Sequence, residues 1–190
     1  MLSEEYSDLD NTGKIILDDI YNAPDPSAYY LTLSKLDYQI PEQGKPVFQN
    51  VIKEYRQQFQ KDRTRILDIG CSYGVNAMLL KCDLDMARLN AHYKQAKKEN
   101  LSTSEMLSRD RLFMLNNLKD KNLEVFGLDK SSNAIEYATR AKILDGGADD
   151  NLEENRPSQE AMKTLDNIDI ITSTGCIGYV TEKTLKWLLN

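Results

Sequence analysis

The sequence predicts an α/β fold in which a parallel sheet is flanked by helices. Three short apolar runs, at residues 65–69, 123–128 and 168–172, are separated by segments with helical spacing. Strands that alternate with helices form parallel sheets with right-handed crossovers. Ligands of such sheets bind beyond the carboxyl ends of the strands. We therefore expect functional residues in the loops at 70–74, 129–132 and 173–178.

Length and composition restrict the class of protein. A chain of 190 residues suits one domain with its own core. The net charge of -6 argues against broad binding to nucleic acid or to anionic membranes. No apolar run approaches the roughly 20 residues of a transmembrane helix, and the first 20 residues are too acidic for a signal peptide. Cys71, Cys82 and Cys176 lack metal-site spacing, which predicts reduced thiols, no metal and a cytoplasmic location.

The first 64 residues are predicted to form a helical extension that packs on a core domain of residues 65–190. Prolines concentrate before residue 47 and glycines from Gly70 onward, so the composition changes between the two parts. In the extension, residues 47–59 place five apolar side chains at helical spacing: Val47, Val51, Ile52, Tyr55 and Phe59. This pattern predicts an amphipathic helix that feeds the core.

Capping residues predict three helices between the first two strands. One helix spans residues 74–81, and a second follows an N-cap at Asp83 and runs through Lys98. The third begins after Ser102 or Ser104. Its apolar positions are Met106, Leu107, Leu112, Phe113 and Leu115.

The second half of the core follows the same alternation. Ser131 or Ser132 caps a helix from Asn133, and the pair at 146–147 (GG) is a C-cap signal that would end it. Residues 148–166 are polar, with a short helix expected near 158–165. A last helix follows the strand at 168–172, from about residue 181.

The loop Gly70-Cys71-Ser72-Tyr73-Gly74 matches two known patterns imperfectly. As G-x-S-x-G it matches the nucleophile elbow of α/β-hydrolases, with Ser72 as nucleophile. That chemistry needs a histidine base, and the one histidine, His92, lies among lysines and is predicted to be a surface residue. As a dinucleotide loop the segment lacks glycines at positions 72 and 75. A serine hydrolase remains a remote alternative.

Three segments together carry a resemblance to a family. Asp68-Ile69-Gly70-Cys71-Ser72-Tyr73-Gly74 resembles the first motif of class I S-adenosylmethionine-dependent methyltransferases, with Ser72 at the middle glycine. Asp129, after the second strand, matches the acidic residue that binds the ribose hydroxyls, and its two oxygens can accept from both. Residues 167–174 resemble the fourth motif, whose strand end faces the transferred methyl group. The tyrosine-rich block at 21–41 also resembles bacterial methyltransferases.

The resemblance implies a Rossmann-like sheet with strand order 3-2-1-4, bound S-adenosylmethionine and in-line methyl transfer to an unknown acceptor. Charge favours a small-molecule acceptor. Ser173, Thr174, Cys176 and Tyr179 could line its pocket, and no catalytic base is identified. The residues that the resemblance assigns to cofactor binding are Asp68, Gly70, Cys71, Ser72, Tyr73, Gly74, Asn76, Asp129, Lys130, Ser131, Asn151, Leu152, Ser173, Thr174, Tyr30 and Tyr38.

The early tyrosines admit two interpretations. Tyr21, Tyr29, Tyr30 and Tyr38 could be packing residues, or their rings could stabilise a sulfonium cation.

The chain departs from the family pattern in three ways. Residues 82–122 insert extra helices, so Asp129 comes 55 residues after Gly74 instead of the usual about 20. No third strand is evident, and we assign it to a short edge segment at 148–153 near the adenine. The sequence ends after the helix that follows the fourth strand. We therefore expect either a fragment, which we favour, or an edge covered by the extension or by self-association. A SAM-binding scaffold without turnover is the alternative function.

Overall fold

The structure, a computed structural model, describes residues 18–176 and 178–189 and confirms the α/β, Rossmann-like fold. Residues 1–17 of the predicted extension lie outside the described residues. The sheet has the order β3-β2-β1-β4, and all three neighbouring pairs are parallel. Its strands are β1 (Thr64–Ile69), β2 (Leu123–Leu128), β3 (Gly146–Ala148) and β4 (Ile170–Ser173).

Helices precede the sheet and cover it. The extension contributes α1 (Asp18–Tyr21), α2 (Ser27–Lys35) and α3 (Ile40–Phe59). The core contributes α4 (Val75–Lys81), α5 (Met86–Lys98), α6 (Thr103–Asn117), α7 (Ser132–Arg140), α8 (Gln159–Thr164) and α9 (Glu182–Leu188). Ser102 caps α6 through a capping box with Glu105, as one of the two predicted caps.

The two faces of the sheet enter two separate clusters of apolar side chains. Ile66 and Val125 belong to the larger cluster, which also takes side chains from α2 to α7. Leu67 and Leu128, which alternate with them, belong to the smaller cluster with α8 and α9. The extension supplies Tyr29, Tyr30, Leu33 and Ile52 to the larger cluster. Residues 18–59 therefore share the hydrophobic core of the sheet.

The third strand differs from its prediction. Gly146 and Gly147 do not cap a helix, because α7 already ends at Arg140. They form β3 together with Ala148, which is the only residue of the predicted segment 148–153 that lies in the strand. A Cβ at Gly146 would lie 3.0 Å from the Phe126 ring, and one at Gly147 would lie 3.0 Å from Ile135. This strand is built from glycine because larger residues would crowd β2 and α7.

Helix α3 is longer and less apolar in its contacts than predicted. It begins at Ile40, and three of its predicted core positions are exposed: Val47 (61%), Val51 (41%) and Phe59 (54%). Polar contacts add to the apolar packing of Ile52. The Tyr55 hydroxyl donates to Asp169 at 2.7 Å, and Arg56 pairs with Asp120 at 2.8 Å.

Two predictions for the insertion are wrong. Asp85, not Asp83, caps α5, because Leu84 is buried and Asp83 N–H is bound to the Asn117 carbonyl. His92 is buried, because it shares the inner face of α5 with other buried residues at helical spacing: Leu89, Tyr93 and Ala96. On α6, the predicted apolar positions Leu112 and Leu115 are exposed.

Strand β4 pairs only with β1 among the described residues. Ile168, Ile170 and Ile171 are half-buried against the two apolar clusters. Self-association through this edge remains a prediction. Across residues 18–176 and 178–189, no helix combines the length and the apolar character needed to span a membrane.

Candidate functional site

A cleft of about 1060 Å³ opens at the carboxyl ends of β1, β2 and β4. This is the position where ligands of open parallel sheets bind. Eleven of the sixteen residues assigned to the cofactor line it: Gly70, Cys71, Ser72, Asn76, Asp129, Lys130, Ser131, Asn151, Leu152, Thr174 and Tyr38. The fold thus brings together residues from five distant parts of the chain.

The other five assigned residues do not line the cleft. Their contacts lie in the layer of the protein behind the lining. Tyr30 is 1% exposed and stacks on Tyr93 with ring centroids 4.0 Å apart, so it packs in the core. The Tyr73 hydroxyl donates to the Ala23 carbonyl at 2.7 Å. Gly74, Ser173 and Asp68 support the loops and the floor beneath the lining.

The loop after β1 has a backbone that only certain residues tolerate. Gly70 and Gly74 have φ of 68° and 78°, in the left-handed region that glycine adopts without strain. A Cβ on Gly70 would lie 2.6 Å from the Cβ of Cys176, so the loops after β1 and β4 meet there. Ser72 also has a positive φ, 47°, which costs a non-glycine residue some strain.

Asp129 joins the loops that follow β1 and β2. Its Oδ2 accepts from Ser72 N–H at 2.8 Å and its Oδ1 accepts from Ser131 N–H at 3.0 Å. Burial raises the pKa of this carboxyl, although the two N–H donors oppose that shift. Each oxygen keeps a lone pair that can accept a hydrogen bond from a hydroxyl group of a ligand in the cleft.

A hydrogen-bonded chain connects the floor of the cleft to β4. Asn76 Nδ2 donates to Asp68 Oδ1 and to Thr174 Oγ1, both at 2.9 Å. Asp68 also accepts from Thr172 Oγ1 at 3.0 Å. Asp68 is fully buried, and burial raises its pKa to about 7.

The extension forms a wall that the sequence assigned only in part. Tyr21, Tyr29 and Tyr38 line the cleft, as do Asp19 and Asn22. The wall is fastened to the loop after β2, because Ser131 Oγ donates to the Tyr21 carbonyl at 2.7 Å. Asn133 Nδ2 fastens it further by donating to the Asn22 carbonyl at 2.8 Å.

Sequence reasoning missed several lining residues. Asp19, Val180 and Thr184 carry no motif, and for Asn22 and Pro41 only the tyrosine-rich block at 21–41 gave a signal. Asp150 and Glu153 also line the cleft, and they belong to the segment at 148–153 that the sequence predicts to lie near the adenine. Glu153 accepts from Thr181 N–H and from the hydroxyls of Thr181 and Thr184. These donors lower the pKa of Glu153 to about 2. Glu153 therefore fastens the start of α9 to the rim of the cleft.

The geometry gives no support to a serine nucleophile. The Ser72 hydroxyl has no hydrogen-bond partner among the described residues. His92 instead contacts Asp110 at 2.7 Å and stacks on Phe113. None of these three residues lines the cleft. Ser72 therefore lacks the histidine that a triad requires.

Comparison with family models, with curated proteins and with solved structures finds no match. Within the part of the chain that the structure describes, no three histidine, cysteine, aspartate or glutamate side chains form a group that could hold a metal ion. The fold and the cleft are therefore the basis for assigning a function.

Proposed function

We propose that this protein is an S-adenosylmethionine-dependent methyltransferase that acts on a small-molecule acceptor. The observation that carries the proposal is the position of Asp129. Its carboxylate follows β2, is bound to the backbone of the loop after β1, and borders the cleft that also receives the end of β4. This is the place where the family resemblance expects the ribose hydroxyls.

The cleft suits the cofactor in size and lining. Pockets for drug-sized ligands measure about 300–1,000 Å³, so about 1060 Å³ leaves room for a nucleoside cofactor and a small second molecule. Leu128 and Leu152 offer apolar side chains near Asp129 and Asn151, where an adenine base would lie. Cys71 and Val75 extend the lining toward Asn76 and Thr174.

The residues of the chain would act by orientation. When bound, S-adenosylmethionine supplies an electrophilic methyl group. The Gly70–Gly74 loop and Asp129 would fix the nucleoside, while the loop after β4 and the wall of the extension would hold the acceptor and exclude water. No base is assigned, because a base is needed only when the acceptor must lose a proton to the protein.

Charge and cysteine chemistry support the proposed partner class and compartment. An acidic chain with a net charge of -6 supports a small acceptor over nucleic acid. Cys71, Cys82 and Cys176 are unpaired, which supports a reducing compartment such as the cytoplasm.

Calorimetric titration with S-adenosylmethionine and with its demethylated product tests the proposal. We expect micromolar or tighter affinity for the wild type. Asp129→Asn should weaken binding at least about tenfold, because charge-assisted hydrogen bonds to the ribose are lost. Asp149→Asn is the matched control, since Asp149 is exposed, lies nearby and does not line the cleft.

Equal affinity of wild type and Asp129→Asn would contradict the role of Asp129, and no binding by the wild type would contradict the proposal. Formation of the demethylated product in the presence of a mixture of acceptors would show that the protein is an enzyme and not a binding module without turnover. Binding without any turnover would identify the module.

A further inference from the structure

The orientation of the Asn76 amide is fixed by its neighbours. Both Nδ2 hydrogens are used, one on Asp68 and one on Thr174. The amide oxygen is thereby left as the group that can accept from a ligand. Asn76 is 4% exposed and lines the cleft. A buried acceptor is therefore presented to a ligand that donates a hydrogen bond.

The carboxyl group behind Asn76 strengthens that acceptor. Asp68 is fully buried, and its Oδ2 has no partner among the described residues. An amide that donates to a carboxylate becomes a better acceptor at its oxygen, because hydrogen bonds in a chain polarise one another. This side of the cleft therefore favours a ligand group that donates a hydrogen bond and carries positive charge.

Aromatic rings line the same cleft as Asn76. Tyr38 approaches the loop after β4 so closely that a Cβ on Gly175 would lie 2.5 Å from its hydroxyl. Burial raises the pKa of Tyr38 to about 12, so the ring stays neutral. Tyr21 and Tyr29 line the same wall, with their ring centroids 5.5 Å apart. Neutral aromatic faces attract organic cations.

The charges around the cleft have one predominant sign. Its lining within the described residues includes the carboxylates Asp19, Asp129, Asp150 and Glu153 and a single cationic side chain, Lys130. Lys130 directly follows Asp129, which the proposed function places at the ribose. A carboxylate or phosphate acceptor would find no counterion beside Asn76.

We propose that the methyl acceptor is an organic amine, recognised as its ammonium form by the Asn76 amide oxygen and the tyrosine wall. This inference rests on the proposed function, which it deepens by naming the substrate class. For transfer, the amine first loses one proton to water. Its lone pair then forms the N–C bond while the C–S bond breaks, the electron pair stays on sulfur, and nitrogen takes the positive charge.

Matched sets of small probes test this inference by calorimetry. One set is phenethylamine, 2-phenylethanol and phenylacetate, and the other is butylamine, butanol and butyrate. Each is titrated with and without saturating S-adenosylhomocysteine. At least one amine should bind about tenfold or more tightly than its alcohol, and neither carboxylate should bind.

Variants separate recognition from folding. Tyr38→Leu should weaken amine binding at least about fivefold while Tyr38→Phe stays within about twofold, because only the aromatic face attracts the cation. Asp19→Asn should weaken amine binding at low salt, whereas Asp37→Asn, an exposed carboxylate outside the lining, should not. Neither Asp19 nor Asp37 is buried, so both variants should fold.

The outcomes distinguish the two proposals. If S-adenosylhomocysteine binds but both amines bind no more tightly than their alcohols, the amine inference is overturned and the proposed function stands. If an amine binds selectively but neither S-adenosylmethionine nor its product binds, the proposed function fails and the ammonium site stands alone. Failure of both titrations overturns both.

Discussion

Asp68 is a buried carboxyl group with a cost that depends on pH. Its ordinary pKa is 3.8, and burial raises it to about 7 in the folded chain. Between these values the folded state binds more protons than the unfolded state, so stability falls as pH rises. The contribution of protonated Asp68 to the free energy of unfolding is complete below about pH 4 and is lost above about pH 7. It amounts to roughly 4 kcal/mol.

Asp68→Asn should remove this dependence, because the amide cannot ionise. We expect the free energy of unfolding of the wild type, relative to Asp68→Asn, to fall by roughly 4 kcal/mol between about pH 4 and pH 8. Urea denaturation at several pH values measures this difference. A difference that does not change with pH would show that Asp68 ionises normally.

Asp110 is the centre of a buried polar network. It is 1% exposed and accepts from the hydroxyls of Tyr93 and Tyr137 at 2.9 and 2.8 Å, and it contacts His92. Asp110→Ala should lower the free energy of unfolding by about 3–5 kcal/mol, because three buried polar groups lose their partner. Asp62→Ala, at an exposed carboxylate, should change it by less than about 0.5 kcal/mol. Similar effects in urea denaturation would contradict the network's role.

Single residues were predictable where their own backbone or motif decides their role. Gly70 and Gly74 occupy left-handed conformations that suit glycine, and Asp129 follows a strand. The burial of His92 was missed, although its spacing from Leu89, Tyr93 and Ala96 places it on the inner face of α5. Its contact with Asp110 was not predictable, because Asp110 lies 18 residues away on another helix. That contact depends on how α5 and α6 pack, which the lysines around His92 do not reveal.

Helix α9 is fastened at its start by a side chain from another element. Glu153 accepts three hydrogen bonds from Thr181 and Thr184. The pKa of Glu153 is lowered to about 2, so the bond to the ionised form is present above the ordinary pKa of 4.5 and is lost as pH falls toward about 2. Glu153→Gln should therefore loosen α9 at neutral pH.

Hydrogen exchange measures this effect at the level of the element. Amides of residues 182–188 should exchange faster in Glu153→Gln than in the wild type, with β1 and β2 unchanged, because the opening is local. Glu154→Gln is the matched control, since that neighbour is exposed. Equal exchange of α9 in the two variants would contradict the role of Glu153.

Elements with strong local patterns were predicted well, and those fixed by neighbours were not. The span of β2 matches its prediction. Helix α4 is one residue shorter than predicted at its start, and α8 is one residue shorter at each end. Strand β3 was misplaced, because Gly146 and Gly147 have low strand propensity and form a strand only beside Phe126 and Ile135. The exposed apolar side of α3 was missed for a similar reason: Tyr55 and Arg56 make its contacts.

At the scale of the molecule, the order of the strands was predictable, and the wall that the extension adds to the cleft was not. Right-handed crossovers and the family resemblance lead to the order β3-β2-β1-β4. The wall formed by the extension depends on long-range bonds, such as those from Ser131 and Asn133 to residues 21–22. No local pattern encodes contacts across about 110 residues of chain.

This assembly of the cleft predicts where a bound cofactor should slow hydrogen exchange. S-adenosylhomocysteine should protect five segments that line the cleft and are distant in sequence: residues 19–38, 70–76, 128–131, 150–153 and 174–176. Helices α5 and α6 should not change, because none of their residues lines the cleft. The physical reason is that a ligand which contacts all of these segments must leave before any of them opens.

Mass spectrometry of the exchanged protein measures this pattern, with Asp129→Asn at the same ligand concentration as the control. Protection should fall in all of these segments together in that variant, since they share one ligand. Protection confined to the loops after β1 and β2, with residues 19–38 unchanged, would show that the extension does not form a wall of the occupied site. Protection within 86–117 would place the ligand outside this cleft and overturn the assignment of the site.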